Sequence, residues 1–198
     1  GRRLVFICFL IRRGPHPSDT LRIVLALVEG GHALCVPGNH DDKFHRWLKG
    51  HDVTINHGLD KTVAQMAHET PEFHRHINRW LGTLAPYAWL DGGNLVVAHA
   101  GIKADMIGKE TSWVRRFCLY GDTDGKIDDN GLAIRYNWAA RYDGAPLVVY
   151  GHTPVTEPTW VGNTVCIDTG CCFGNALTAL RYPERTTVSV PARSNYAA

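Results

Sequence analysis

No stretch of the 198 residues stays apolar for anything near the roughly 20 residues that cross a bilayer, so a membrane-spanning helix is excluded. Internal repeats, low-complexity tracts and interdomain linkers are also missing, and the length suits one domain with one substantial core. Charge of one sign is scarce: 21 Lys and Arg against 19 Asp and Glu leave a net +2. That is too little for wholesale coating by nucleic acid, so any nucleic acid would have to be met at a local site. Cysteine follows no framework spacing. Cys8, Cys35, Cys118, Cys166, Cys171 and Cys172 are irregularly placed in a chain large enough to fold without disulfide staples, which points to a reducing compartment. No small-residue cleavage site follows the short apolar run that Arg12 and Arg13 close, which argues against a secretory leader. A cytoplasmic bacterial protein is expected, without membrane partners.

What is present is the composition of an ordinary folded domain, 44% hydrophobic and 20% charged. Arg3 to Ile11 is an apolar run of buried-strand character with no polar lead-in, a start that reads like the middle of a domain. Pro17-Ser18-Asp19-Thr20 then precedes Leu21, Val24, Leu25 and Val28 at helical spacing, and Gly30-Gly31 stops them. Ala33 to Val36 is a second strand. Strand, helix and strand in this order predict a βαβ unit with a parallel pair, hence an α/β fold. Residues 43–84 predict several short helices broken at Gly50, Gly58 and Pro71, expected as an inserted cap. Asp91-Gly92-Gly93-Asn94 between Tyr87–Leu90 and Leu95–Ala98 predicts a hairpin. After a polar, Gly-rich stretch from 101 to 146, strands are expected at 147–150, 164–168, 176–182 and 186–190, then a frayed tail over 192–198.

Four short segments each follow a predicted strand: Arg13-Gly14-Pro15, Gly38-Asn39-His40-Asp41, His99-Ala100-Gly101 and Gly151-His152-Thr153. Loops at strand C-termini are where open α/β sheets place their sites. An amide oxygen, three imidazoles, a carboxylate and a guanidinium are the mixture that a divalent metal and a phosphate group require. The other histidines, such as His45, His51, His68, His74 and His76, are expected as surface or satisfied core residues. Cys166, Cys171 and Cys172 lack the paired spacing of a structural zinc site and are expected as core thiols.

Taken in order, Gly-Asn-His-Asp, His-Ala-Gly and Gly-His-Thr resemble the blocks of the calcineurin-like metallophosphoesterase superfamily. The runs Val149 to Val155, Cys166 to Cys171 and Leu177 to Pro183 are similar to the central phosphatase domain of bacterial polynucleotide kinase-phosphatases, which act in RNA repair. The resemblance implies a four-layer α/β/β/α sandwich over residues 1–191 that lacks its first strand and helix. It implies two divalent ions, Mn²⁺ being the expected metal, one of them held by Asn39, His99 and His152. His40 would donate a proton to the leaving oxygen and Arg13 would grip the phosphate in bidentate fashion. Asp41 and Asp168 would orient a ligand or the proton donor, with a plain turn or cap carboxylate as an equal alternative for each. The implied substrates are RNA 2′ and 3′ phosphate ends, including 2′,3′-cyclic phosphates, or small phosphoesters. Implied neighbours are a kinase and a nucleotidyltransferase domain in the same polypeptide and an RNA methyltransferase partner.

Two blocks depart from that family. Its first, Gly-Asp-x-His-Gly, has no counterpart in these residues, and its second, Gly-Asp-Leu-Val-Asp-Arg-Gly-Pro, stands as Cys8-Phe9-Leu10-Ile11-Arg12-Arg13-Gly14-Pro15. Phe9 replaces the aspartate that would bridge the two ions, and Arg12 replaces the one that would hold the catalytic histidine. A phenyl ring cannot ligate a cation, and a guanidinium beside an imidazole disfavours the imidazolium that a general acid must be. At most one partial metal site and little hydrolysis are therefore expected. Two alternatives stay open: a non-catalytic fold that binds an RNA end or a protein partner, and a relative of the serine/threonine protein phosphatases or diadenosine tetraphosphatases.

Overall fold

Short strands that are apolar at successive positions, such as Leu95–Ala98 and Leu147–Tyr150, require apolar cover on both faces of the sheet, and the architecture supplies it. The computed structural model describes residues 2–7, 11, 14–55, 58–129 and 133–197. Strand β1 (Leu4–Ile7) pairs in parallel with β2 (Ala33–Val36), in register from Leu4 opposite Ala33 to Ile7 opposite Val36. Helix α1 (Pro17–Glu29) makes the crossover, starting on a proline and burying Leu21, Val24 and Leu25. It ends because Gly31 turns left-handed at φ 73°. There the Gly31 and His32 N–H groups donate back to the Val28 and Leu27 carbonyls at 3.0 and 2.9 Å, a Schellman closure.

The second sheet has the order β3 (Tyr87–Leu90), β4 (Leu95–Ala98), β5 (Leu147–Tyr150), β7 (Thr164–Cys166) and β6 (Thr159–Val161). Strands β4, β5 and β7 run parallel, while β3 and β6 are antiparallel at the edges. A separate antiparallel hairpin joins β8 (Ala176–Arg181) to β9 (Thr186–Pro191).

Alternation divides the side chains among three apolar layers. Val5, Ile7 and Val36 from the first sheet meet Leu95, Val97, Leu147, Val149 and Val165 from the second. Phe6 and Cys35, facing the other way, pack under α1 together with helices α2 (Asn39–Leu48), α3 (Leu59–Met66) and α4 (Pro71–Thr83). Val96, Ala98 and Val148 lie on the far side of the second sheet, against α5 (Ser112–Tyr120) and Trp138. Helices, sheet, sheet and helix are thus stacked in the expected four layers.

The segment expected as an inserted cap is not set apart. Phe44, Leu59, Met66 and Ile77 are all fully buried in the same cluster as Leu21 and Ile11, so these helices are one outer layer of the main core. Nor does that helical region begin at residue 43; α2 starts at Asn39, directly on the motif. Two elements were illegible in the sequence. Helix α5 hides in the Gly-rich stretch although Val114, Phe117 and Cys118 keep helical spacing and Thr111 caps it, accepting from Val114 N–H at 3.2 Å. Strand β6 is only three residues long. The expected frayed tail is tied down instead: the Ala192 N–H donates to Asn175 O at 2.7 Å and the Tyr196 N–H to Cys172 O at 2.9 Å. Among the described residues no helix is long and apolar enough to cross a membrane.

Phe44 is fully buried and stacks on Trp47 with ring centroids 5.6 Å apart, tying α2 to the core. Phe44→Ala is expected to destabilise the fold by about 3–5 kcal/mol, the range for truncating a buried aromatic, as measured by denaturant unfolding.

Candidate active site

Both sheets direct their strand C-termini to one place. Strand β2 runs through Pro37 into Gly38, whose extended backbone (φ −93°, ψ 169°) caps α2 and leaves Asn39 and His40 on the first turn. The cap is closed by Asp41, whose Oδ2 accepts the Gly38 N–H at 2.8 Å. His99 is the residue after β4, and Gly151-His152 follow β5. The Gly151 N–H donates to His99 O at 2.8 Å and the Ala100 N–H to Cys118 O at 2.7 Å, so these turns are fixed to each other and to α5. His152 is held at φ 74°, a left-handed conformation that costs a branched or bulky side chain of order 1–3 kcal/mol and is concentrated at functional sites. Gly101, at φ 99°, accommodates the Trp138 ring so closely that an added Cβ would lie 1.9 Å from it.

These loops bring Asn39, His99 and His152 together. His99 Nε2 lies 3.1 Å from Asn39 Oδ1 and 3.0 Å from His152 Nδ1, with the two imidazole rings at 68° and their centroids 4.9 Å apart. His99 is fully buried and His152 almost so. His99 Nε2 can offer at most one proton to two neighbours, so the three lone pairs favour a cation at their meeting point. Cis donors about 2.1 Å from an octahedral ion are separated by about 3.0 Å, the spacing found here, so the residues fit a divalent metal. The donors are neutral, however. Among the described residues no three His, Cys, Asp or Glu side chains form a metal-binding group.

His40 is buried on the first turn of α2, beside Asn39. Asp41, expected either to orient a ligand or the proton donor or to be a plain cap carboxylate, caps the helix through its Oδ2, and its Oδ1 has no hydrogen-bond partner among the described residues. Burial pushes its carboxyl up to about 7, although the Gly38 and Asp41 N–H groups pull the other way. Asp168 follows β7 and lies against the His152 turn: a Cβ on Gly151 would come within 3.1 Å of Asp168 Cβ. Asp168 Oδ1 accepts the Gly170 N–H at 3.1 Å, as a turn carboxylate does. Phe9, Arg12 and Arg13 lie outside the described residues.

Asn39 and His40 open onto a cleft of about 320 Å³ whose other walls are Lys43, Arg46, Asp52, Val53, Thr54 and Tyr120. The sequence signal for its cationic side is Asn39, Lys43 and Arg46 at helical spacing, a stripe that a cap expected to begin at residue 43 divides.

Strand-end loops present an amide, two imidazoles and a third histidine at one place, and the chain belongs to the calcineurin-like phosphoesterases. That family's profile matches residues 10–177. At the level of individual relatives, the chain is 48% identical over 202 residues to the bis(5′-nucleosyl)-tetraphosphatase PrpE [asymmetrical] of Anoxybacillus flavithermus, spanning 100% of this chain and 82% of that protein. It is 48% identical over 200 residues to the PrpE of Bacillus subtilis, with 99% and 82% covered. A crystal structure described as a candidate diadenosine tetraphosphatase superposes with a TM-score of 0.68 at 21% identity, covering 96% of this chain and 80% of that one, a likeness of fold. These relatives correct the expected placement beside the RNA-repair polynucleotide kinase-phosphatases.

The raised Asp41 carboxyl has a consequence for stability. Its folded value near 7 exceeds the ordinary 3.8, so its contribution is complete below about 4 and is lost as pH rises toward 7. Asp41→Asn, which keeps an acceptor for the Gly38 N–H, should flatten the stability profile between those values in chelator-treated protein. Parallel profiles for the two proteins would show that Asp41 is ionised throughout.

Proposed function

We propose that this chain is a metal-dependent hydrolase of bis(5′-nucleosyl) polyphosphates, cutting a tetraphosphate bridge into unequal parts. The observation that carries this reading is the approach of Asn39 Oδ1 and His152 Nδ1 to His99 Nε2 at 3.1 and 3.0 Å, beside His40 and a cleft lined by Lys43 and Arg46. Support for the substrate class comes from the PrpE relatives at 48% identity.

Asn39, His99 and His152 would hold a divalent ion, which when bound polarises a phosphoryl oxygen and lowers the pKa of water. Imidazole and amide oxygen together suit Mn²⁺ among several borderline ions. His40, one residue beyond Asn39, is the proton donor to the oxygen that leaves with the departing phosphate. Arg13 supplies a planar fork for two phosphate oxygens. Asp168 braces the turn that carries His152 and so fixes the direction of its imidazole.

Phe9 and Arg12 set the level of activity. With three neutral donors and phenylalanine at the position of the expected bridging carboxylate, the ion's dehydration is offset less well, so the site binds metal more weakly and turns over more slowly. Those two residues also support a second reading, in which the same pocket binds a phosphate chain without hydrolysing it.

Turnover of bis(5′-adenosyl) tetraphosphate with Mn²⁺ separates the two, with an RNA bearing a 2′- or 3′-phosphate as the comparison substrate. The unmodified chain should be slow on the tetraphosphate and His99→Ala should weaken Mn²⁺ binding by more than about ten-fold. Phe9→Asp combined with Arg12→Asp should raise both Mn²⁺ affinity and turnover by at least about ten-fold. Silence of that double variant despite tight Mn²⁺ binding would favour the non-hydrolytic reading, and preference for the RNA end would overturn the substrate class.

A further inference from the structure

We infer that the cleft running along α2 from His40 is a subsite for a linear polyphosphate chain, with Lys43 and Arg46 as its cationic rail. This deepens the proposed function and rests on Asn39, His99 and His152 being where a phosphate is held for attack.

Asn39, Lys43 and Arg46 are spaced four and three residues apart, so they share one face of α2. At 1.5 Å per residue, Lys43 and Arg46 stand roughly 6 and 10 Å beyond Asn39 along the axis. All three line the same cleft. A phosphate seated at Asn39 therefore has a route outward past two successive cations, the length of several linked phosphates and longer than one. Orthophosphate or a simple monoester can engage the metal donors but cannot also reach Arg46.

The electrostatics of the cleft favour an anionic chain. Desolvation and the neighbouring Arg46 both lower the Lys43 ammonium from its ordinary value, which shows the two cations close enough to repel each other. An anion lying between them relieves that repulsion. Of the two acidic side chains on the helix, Asp42 is paired with Arg115 at 3.1 Å and Asp41 is buried and accepts the Gly38 N–H at 2.8 Å. One carboxylate, Asp52, does line the cleft, so the net lining charge is two cations against one anion. Helix α2 also points its N-terminus at the metal donors, where a partial positive charge favours the phosphate end of such a ligand. Tyr120 forms part of the wall. Burial raises its hydroxyl, with Asp42 adding to the effect and Arg46 opposing it, which places the phenol within electrostatic reach of the rail.

Binding of inorganic tripolyphosphate and of orthophosphate to the full chain, measured by calorimetry with chelator present, tests the subsite through its own side chains. Wild type should prefer tripolyphosphate by at least about ten-fold, since each charge-assisted contact is worth roughly that factor. The Lys43→Ala, Arg46→Ala double variant should lose most of that preference, whereas Lys43→Arg, Arg46→Lys should keep it. Circular dichroism checks that the variants fold. Equal affinity of wild type for the two anions overturns the subsite, and an undiminished preference in the alanine variant overturns its assignment to Lys43 and Arg46. Tighter binding of a short RNA than of tripolyphosphate overturns the chain-like ligand. Should wild type prefer tripolyphosphate yet never cleave bis(5′-adenosyl) tetraphosphate, the subsite stands and the proposed reaction falls.

Discussion

His99 is the node on which the rest of this molecule depends. Its Nε2 is within 3.1 Å of Asn39 from one sheet system and 3.0 Å of His152 from the other strand end, while its carbonyl accepts the Gly151 N–H. A fully buried imidazole with so many fixed neighbours leaves the surrounding loops little freedom. The Ala100 N–H ties the same turn to α5, and Gly101 admits Trp138 against it. The site is rigid because the core is packed around it, and a preorganised donor set is what a metal or a phosphate needs.

Charge balance separates geometry from capacity. The meeting point has the spacing of a divalent-ion site and lies in low-dielectric surroundings, where a neutral donor set compensates poorly for lost hydration. The resemblance drawn from the sequence implies carboxylates in the segment where this chain has Phe9 and Arg12. A frame kept in good order around a weakened charge balance accounts for the pairing of intact loop geometry with low expected turnover.

Helix α2 links the two halves of the proposed chemistry. Its first turn carries Asn39 and His40, its cap uses Asp41, and its next two turns carry Lys43 and Arg46 into the cleft while Phe44 anchors the opposite face in the core. One amphipathic helix thus sets the proposed metal donor, the proposed proton donor and the cationic wall in a single register.

The sequence by itself determined the βαβ start, the hairpin at 91–94, the strand-end position of Asn39, His99 and His152, and the family, because each depends on local spacing or a short motif. Helix α5 was illegible because its helical spacing is short and set in a Gly-rich context, and strand β6 because three residues leave no periodicity to read. Convergence of three residues separated by up to 113 positions and the alignment of Lys43 and Arg46 with the site depended on tertiary structure. The physical reason is that donor spacing and cleft charge are properties of packed layers: they exist only once Leu95, Val97, Leu147 and Val149 have set the second sheet against Val5, Ile7 and Val36 of the first.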